Sequence, residues 1–190
     1  MGEVLVTERL KLRPWTLDDD EAALAIFGSP DVARWLSPAL ERVADRQAMR
    51  PVLQQWVAED ARAVAPSGRW AIELVVDQRV VGGIALLPLP PGGVDLEIGW
   101  QLAPEAWGKG LATEAGHMVA HWALGHPGVD EVFAVVRRTN ARGAATAKRI
   151  GMEWVGETDK YYDLQLNVYR LRSSDLDRPL PGQTPVAQPQ

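Results

Sequence analysis

Short segments of alternating hydrophobic and polar residues run through this chain, separated by segments with a helical pattern. The clearest alternation covers residues 94–102, where even positions are apolar and odd positions are polar or glycine. Because successive side chains of a strand point to opposite faces, this segment predicts a strand with one buried face. The segments predicted as strands are 4–15, 69–76, 80–87, 94–102, 132–136, 152–156 and 167–172.

Helices are predicted between these strands from capping residues, composition and apolar spacing. Thr16 and Asn140 are residue types that favour the N-cap, and three aspartates follow Thr16 where the helix dipole favours negative charge. Pro51 is expected to break or restart its helix, since proline lacks a backbone donor. The predicted helical segments are 17–27, a short turn at 31–36, 41–63, 110–124 and 140–150.

Residues 94–136 predict a βαβ unit, in which a right-handed crossover makes the two strands parallel neighbours. Its helix opens with Trp107-Gly108-Lys109-Gly110, whose glycines let a ligand approach the backbone closely. The first N–H groups of a helix lack intrahelical partners and lie at the positive end of its dipole, which indicates a phosphate or pyrophosphate site. Alternatively, the glycines only close a turn and allow tight helix packing.

Composition limits the possible functions. The chain has 190 residues, 46% hydrophobic and 24% charged, which is typical of one soluble globular domain or at most two small ones. Its net charge of −5 argues against general nucleic-acid binding, and the lack of cysteine excludes disulfides, thiolate zinc sites and a cysteine nucleophile. His117 and His121 have metal-ligand spacing but no accompanying carboxylate motif, so we predict no metal.

No segment is long and apolar enough to span a membrane, and the start of the chain lacks a signal-peptide pattern, so a cytoplasmic protein without membrane association is expected. The end of the chain is rich in proline and glutamine. We predict a folded domain over 1–173 and a flexible tail over 174–190.

Three segments together resemble the GNAT N-acetyltransferase superfamily: Glu97-Ile98-Gly99-Trp100, the run 104–115 (PEAWGKGLATEA), and Asn140 with the later Lys148-Arg149-Ile150-Gly151-Met152. The opening segment 7–13 (TERLKLR) is similar to the branch of RimJ/RimL-like ribosomal-protein N-terminal acetyltransferases. The resemblance covers residues 4–172. It implies an α+β (α/β/α) fold with a mixed central sheet of about seven strands flanked by helices.

The resemblance also implies acetyl-CoA as acyl donor and no metal. The backbone N–H groups from Trp107 to Thr113 would hold its pyrophosphate, and the strand end would pair with its pantetheine arm. Asn140 would contact it near the thiol. Trp107 stands where the family usually has glutamine or arginine. The expected cofactor-binding residues are Leu102, Ala103, Trp107, Gly108, Lys109, Gly110, Leu111, Ala112, Thr113 and Asn140.

Acetyl transfer to an amine requires a neutral amine, and an alkylammonium of pKa ~10.4 is only about one part in 10³ neutral near pH 7. A general base therefore helps, and Glu97 is the best candidate, with Asp95 second. Alternatively, Glu97 is a strand-surface charge. A backbone N–H of residues 98–100 would polarise the carbonyl. Glu114 is expected to face away from the chemistry or to support the loop.

The proton donor for the leaving thiolate departs from the family pattern. Many members have a tyrosine seven residues after the asparagine or a serine three after it, where this chain has Ala147 and Gly143. A water held by Asn140, or Tyr161 or Tyr162, would then serve, or the thiolate leaves unassisted. The two tyrosines could also be ordinary strand residues.

The predicted function is transfer of an acetyl group from acetyl-CoA to a primary amine, in a small molecule or at a peptide N-terminus. Without cysteine, direct attack in a ternary complex is expected. The rival hypothesis is a non-catalytic acyl-CoA-binding or regulatory module. The expected partners are acetyl-CoA and an amine acceptor, with no nucleic acid, in a monomer or homodimer. Trp35 and Trp56 are expected in the core, or alternatively as one wall of an acceptor pocket.

Overall fold

The protein is built around one sheet of eight strands. The structure is a computed structural model, which describes residues 3–36, 43–90 and 93–176. The spatial order is β1-β2-β3-β4-β5-β6-β8-β7, and every neighbouring pair except β5–β6 is antiparallel. The strands are β1 Leu5–Val6, β2 Leu10–Pro14, β3 Gly68–Leu74, β4 Val80–Pro88, β5 Leu96–Leu102, β6 Glu131–Arg137, β7 Glu153–Thr158 and β8 Leu166–Arg172.

Helices cover both faces of this sheet. The helices are α1 Asp20–Phe27, α2 Pro30–Ala33, α3 Arg46–Asp60, α4 Leu111–Leu124 and α5 Ala141–Ile150, with single 3₁₀ turns at Leu17–Asp19, Pro104–Ala106 and Ser173–Asp175. The even positions of β5 pack with α4 and α5 in one hydrophobic cluster, while α1–α3 form a second cluster on the opposite face. The α+β fold with a mixed central sheet agrees with the expectation. The sheet has eight strands where about seven were predicted.

The parallel pair β5–β6 is short. Its register covers only Leu96 with Val132 and Glu97 with Phe133. On its other side β5 pairs with β4 along its whole length, from Leu96 to Leu102. After Glu97, therefore, β5 and β6 separate and leave a gap within the sheet.

The prediction of one strand over 4–15 was wrong. Residues 7–9 form a turn, in which the N–H of Thr7 donates to the carbonyl of Leu10 at 2.8 Å and the N–H of Leu10 donates to Thr7 Oγ1 at 3.0 Å. The carboxylate of Glu114, 107 residues away from Thr7, accepts the Thr7 hydroxyl at 2.6 Å. This distant partner stabilises the turn, so the local alternation could not reveal it.

Three helix and tail boundaries also differ. Pro51 lies inside a continuous α3 instead of breaking it. Proline has no N–H to donate to the Gln47 carbonyl, but both residues are exposed, so this carbonyl can bind water instead. The short helix begins at Pro30 with Ser29 as its N-cap, one residue before the turn predicted at 31–36. Ser173–Asp175 form a 3₁₀ turn and Leu176 packs against the core, at the start of the segment predicted as a flexible tail. Residues 41 and 42 of the predicted third helix and the tail from 177 onward lie outside the described residues.

A partly buried ion network joins β2, β3 and the start of α1. Arg13 lies between Asp19 at 2.8 Å and Glu73 at 2.6 Å, and the two carboxylate side chains are only 9% and 10% exposed. Burial alone would raise the pKa of Asp19, but hydrogen bonds from Arg13 and from the N–H of Thr16 outweigh it and lower that pKa. The network fixes the entry of α1 against the sheet.

We expect Asp19→Ala to lower the free energy of unfolding by about 3 kcal/mol at pH 7, because it removes one partner of a buried ion pair. Urea denaturation measures this, with the exposed neighbour Asp18→Ala as control at under about 1 kcal/mol. Because the native pKa of Asp19 is depressed, its contribution is present above the unfolded-state pKa of about 3.9 and disappears as pH falls through the native value. Equal effects of the two variants would contradict this role.

Candidate active site

A cleft of about 1360 Å³ follows the gap between β5 and β6. One end lies at the start of α4 and the other lies among side chains of α1–α3. Most of the residues predicted for the site line this cleft, whereas Ala103, Lys109 and Tyr161 do not. The predicted residues that line it are Glu97, Leu102, Trp107, Gly108, Gly110, Leu111, Ala112, Thr113, Asn140 and Tyr162.

The loop before α4 needs its two glycines for conformational reasons. Gly108 and Gly110 have φ values of +75° and +76°, in the left-handed region that side chains disfavour. A Cβ on Gly108 would meet nothing within 4 Å, so open space lies above this peptide. Packing therefore does not explain this glycine, and the space beside it is available to a ligand.

The free N–H groups at the start of α4 are suited to bind an anion. Leu111, Ala112 and Thr113 are its first three residues, and a helix provides no carbonyl partner for these donors. The N–H of Trp107, by contrast, donates to the carbonyl of Pro104 at 3.2 Å, so this predicted donor is already used within the protein. The pyrophosphate donors that remain from the predicted set lie at residues 108–113.

Trp107 instead links the loop to the rest of the site through its side chain. Its indole Nε1–H donates to the carbonyl of Leu102 at 2.8 Å, and the guanidinium of Arg142 lies 4.2 Å from the centroid of its ring. The ring thus joins the end of β5 to the first turn of α5. Arg142 and Arg149 of α5 also line the cleft and add positive charge near the loop.

An ion pair holds the loop from outside the cleft. Arg9 donates to Glu114 at 2.6 Å and to the carbonyl of Lys109 at 2.9 Å. Burial alone would raise the pKa of Glu114, but hydrogen bonds from Thr7 and Arg9 outweigh it and lower that pKa. Glu114 therefore supports the loop, which is the second of the two roles expected from the sequence.

The backbone of β5 presents free hydrogen-bonding groups to the gap. The N–H of Ala103 donates to Val81 of β4 at 2.9 Å, so this predicted pantetheine contact is used within the sheet. Because backbone groups alternate between the two sides of a strand, Trp100 and Leu102 direct theirs toward β6, where the ladder has ended. The carbonyl of Leu102 accepts a hydrogen bond from Trp107, so at this residue only the backbone N–H stays available to a ligand.

Asn140 is the N-cap of α5. Its Oδ1 accepts the N–H of Gly143 at 3.0 Å, so the helix end fixes the side chain while its amide NH₂ can still donate into the cleft. This arrangement fits the expected contact with the acyl donor.

Glu97 lies at the point where β5 and β6 separate. Burial raises the pKa of its carboxyl group to about 7, although hydrogen bonds from Tyr162 and from the backbone of Val135 favour the ionised form. The phenol of Tyr162 donates to Glu97 Oε2 at 2.7 Å. A carboxylate with this pKa is a stronger base than an exposed glutamate and is about half ionised at neutral pH.

Tyr162 reaches Glu97 from the segment between β7 and β8. Tyr162 and Asp163 have φ values of +58° and +52°, so two successive residues adopt the left-handed conformation there. Burial, followed by the charge of Glu97, raises the pKa of the Tyr162 phenol above its ordinary value. A raised pKa makes this phenol a weaker acid, which favours its role as a donor that orients Glu97.

Positions 143 and 147, where the resembling family often has a proton donor, hold small residues in tightly packed surroundings. A Cβ on Gly143 would lie 2.8 Å from Val136 Cγ1 and 2.9 Å from Asn140 Nδ2. Ala147 is fully buried in the core and does not line the cleft. A serine at position 143 would require a shift of its neighbours, and position 147 lies in the core away from the cleft.

Aromatic rings form the wall of the cleft opposite the loop. Phe27 and Trp56 have ring centroids 5.0 Å apart, and Trp15 and Trp56 have centroids 5.9 Å apart. Trp15 and Phe27 lie over Gly83 of β4, where a Cβ would come within 3.0 Å of Trp15. Trp35 and Trp56 are half-buried and line the cleft. Of the two interpretations given for them, a pocket wall therefore describes them better than packing in the core.

Sequence reasoning missed several residues of the site, among them Arg142, Trp15 and Arg137 at the end of β6. Each reaches the cleft by tertiary contacts with residues distant in sequence, such as the stacking of Arg142 on Trp107. The one local signal concerned Arg137, a charged residue at the end of an apolar strand and three residues before Asn140.

Within residues 3–36, 43–90 and 93–176, no group of three His, Cys, Asp or Glu side chains could hold a metal ion. The rings of His117 and His121 have centroids 4.5 Å apart on α4. Among the helices of the described part of the chain, none has the length and apolarity to cross a bilayer.

We expect Gly143→Ser, which restores a hydroxyl at the family position, to lower stability by about 1–3 kcal/mol through overpacking and to give no gain in acetyl transfer. Ala145→Ser, on a half-buried position of the same helix that lines the cleft, is the control and should fold like the wild type. Urea denaturation and a thiol-release assay measure both effects. Higher turnover in Gly143→Ser would show that the position accepts a donor after all.

Comparison with known proteins identifies the family of this chain. The family model for the GNAT acetyltransferase domain matches residues 9–153. The uncharacterized N-acetyltransferase YoaA of Bacillus subtilis is 28% identical over 163 residues, which cover 85% of this chain and 89% of YoaA.

Solved structures share the fold. A GNAT-family acetyltransferase of Bacillus anthracis has a TM-score of 0.75 at 20% identity, over 90% of this chain and 99% of its own. RimJ of Mycobacterium smegmatis, in complex with CoA-disulfide, has a TM-score of 0.77 at 17% identity, over 93% of this chain and 90% of its own. The family model matches residues 9–153, which is most of the chain, so this protein belongs to the GNAT acetyltransferase family.

Proposed function

We propose that this protein transfers an acetyl group from acetyl-CoA to a primary amine by direct attack within a ternary complex. The observation that carries the proposal is Glu97, a half-buried carboxylate with a pKa of about 7 that lies where β5 and β6 separate and lines the cleft. A base is needed there because an alkylammonium must lose a proton before its nitrogen can attack.

The residues of the cleft fit acetyl-CoA. Open space above Gly108 and the unpaired N–H groups of Leu111–Thr113 suit a pyrophosphate, and Arg142 and Arg149 add positive charge. The backbone groups that β5 directs into the gap suit the amides of a pantetheine arm. When bound, acetyl-CoA supplies an activated acetyl thioester.

Glu97 accepts the proton of the acceptor ammonium, and Tyr162 holds the carboxylate in place during this transfer. The amine nitrogen then forms a bond to the acetyl carbon, the carbon–sulfur bond breaks, and the sulfur takes up a proton. A backbone N–H of residues 98–100 polarises the carbonyl oxygen. Water held by the amide of Asn140 passes the second proton of the nitrogen to the sulfur, since Gly143 and Ala147 carry no proton donor.

We expect Glu97→Gln to lower kcat by about 10²- to 10⁴-fold, the range for loss of a general base, with little change in acetyl-CoA affinity. Asp95→Asn removes an exposed carboxylate two residues earlier in the chain and should leave kcat within twofold of the wild type, a margin of roughly 0.4 kcal/mol. Thiol release with an amine panel and calorimetric binding of acetyl-CoA measure the two quantities. A Glu97→Gln enzyme with wild-type kcat would remove Glu97 as base.

The pH dependence tests Tyr162. Because the base must be ionised, kcat/KM should fall as pH decreases through about 7. The Tyr162 hydrogen bond lowers the pKa of Glu97, so Tyr162→Phe should raise that pKa and move the acidic limb of the profile to higher pH. Tyr161→Phe, next to it but not lining the cleft, should leave the limb in place. The opposite pattern would assign the role to Tyr161.

Acetyl-CoA binding without amine-stimulated thiol release would instead favour a non-catalytic acyl-CoA-binding module, the function suggested by the missing donors at 143 and 147. A trapped acetyl-enzyme would contradict direct attack. The cytoplasmic location expected from the sequence stays a prediction.

A further inference from the structure

Arg137, the last residue of β6, brings a positive charge to the acceptor side of the cleft. Its Nη2–H donates to the carbonyl of Leu36 at 2.8 Å, and its Nε is buried without a hydrogen-bond partner in the described residues. No carboxylate of residues 3–36, 43–90 or 93–176 forms an ion pair with it. A buried donor without a partner, on a half-buried cation, is expensive, so an anionic ligand would stabilise it.

The other arginines of the cleft have partners or lie elsewhere. Arg69 forms ion pairs with Glu59 at 2.7 Å and Asp60 at 3.2 Å, which neutralise its charge. Arg142 and Arg149 lie on α5, and Arg142 stacks on Trp107 beside the glycine loop. Arg137 is therefore the uncompensated arginine of the described residues on the α1–α3 side of the cleft.

Arg137 is close to the proposed base. The backbone of Val135 is hydrogen-bonded to the carboxylate of Glu97. Arg137 follows two residues later on the same face of β6, about 7 Å along the strand. Glu97 and Arg137 line the same cleft, so an acceptor whose amine meets Glu97 can present a neighbouring group to Arg137.

The aromatic wall supplies the third contact. Leu36, which Arg137 binds through its carbonyl, belongs to the same hydrophobic cluster as Trp15 and Phe27, and Trp56 packs against that cluster. The wall therefore begins beside the guanidinium. It offers an apolar surface to a large side chain, while Ala85 and Gly99 leave the floor of the cleft open.

We propose that the acceptor is a free α-amino acid with a bulky apolar side chain: Arg137 binds its carboxylate, Glu97 takes its ammonium proton, and the wall of Trp15, Phe27 and Trp56 holds its side chain. The inference rests on the proposed function and adds the substrate class. The covalent step is unchanged: Glu97 takes the ammonium proton, the nitrogen–carbon bond forms, the carbon–sulfur bond breaks, and the second proton of the nitrogen passes through water to the sulfur.

The test compares matched acceptors in the thiol-release assay. L-Phenylalanine, L-phenylalanine amide, phenethylamine and the dipeptide Phe-Ala present the same ring with and without a carboxylate next to the amine, and L-alanine keeps the carboxylate without the ring. We expect kcat/KM for phenylalanine to exceed that for the amide, phenethylamine and the dipeptide by about 10- to 100-fold, the range for a hydrogen-bonded charge. Alanine should also be a poorer acceptor.

Two variants assign the preference to Arg137. Arg137→Gln should reduce the ratio of phenylalanine to phenethylamine to near one, and Arg137→Lys should keep part of it. The ratio is insensitive to partial misfolding, since both acceptors meet the same folded fraction. Arg79→Gln, an exposed cation on the turn between β3 and β4, is the control and should keep the wild-type ratio.

Equal kcat/KM for phenylalanine and phenethylamine in the wild type, or an equal loss for both acceptors in Arg137→Gln, would overturn the inference. A preference for the dipeptide would assign Arg137 to a peptide carbonyl and would overturn it as well. Failure of the proposed function looks different, because no amine would then stimulate thiol release. In that case calorimetric binding of phenylalanine and its amide to the CoA-saturated wild type and Arg137→Gln proteins decides the inference, which requires tighter binding of phenylalanine only when Arg137 is present.

Discussion

The separation of β5 from β6 after Glu97 is the constraint on which the site depends. A parallel ladder that continued to Leu102 would use the backbone groups of β5 within the sheet and close the cleft. Because the ladder ends early, the same strand is anchored to β4 on one edge and free on the other. The sheet thus holds a rigid strand beside an open space, where binding groups can be placed accurately.

The charges of the site are arranged around this gap. The N-terminus of α4 and the arginines of α5 offer positive charge at one end, where a pyrophosphate would lie. Glu97 is buried nearer the middle, and its burial is what raises its pKa to about 7. A neighbouring phenol, that of Tyr162, keeps the carboxylate oriented without neutralising it. Loop geometry and burial, more than any unusual residue, account for the chemistry of this cleft.

Local patterns predicted the elements that bear the site. The alternation of β5 and the glycines before α4 could be read directly, because strand facing and positive φ depend on the residue itself and its immediate neighbours. The split of the first strand could not be read, since it depends on Glu114, more than a hundred residues away. The continuity of α3 through Pro51 was missed as well, because exposure to water determines how much a missing hydrogen bond costs.

The sequence by itself determined the fold class and the position of the glycine loop before α4, which follow from periodicity and from residue types at fixed spacing, and its motifs resembled those of the family. Only the tertiary structure decided which groups meet in the cleft. It showed that Tyr162 and not Tyr161 reaches Glu97, that the N–H groups of Trp107 and Ala103 are already bonded, and that a Cβ at Gly143 would displace neighbouring side chains. The physical reason is that burial, hydrogen bonding and steric fit depend on contacts between distant segments, and no local pattern records them.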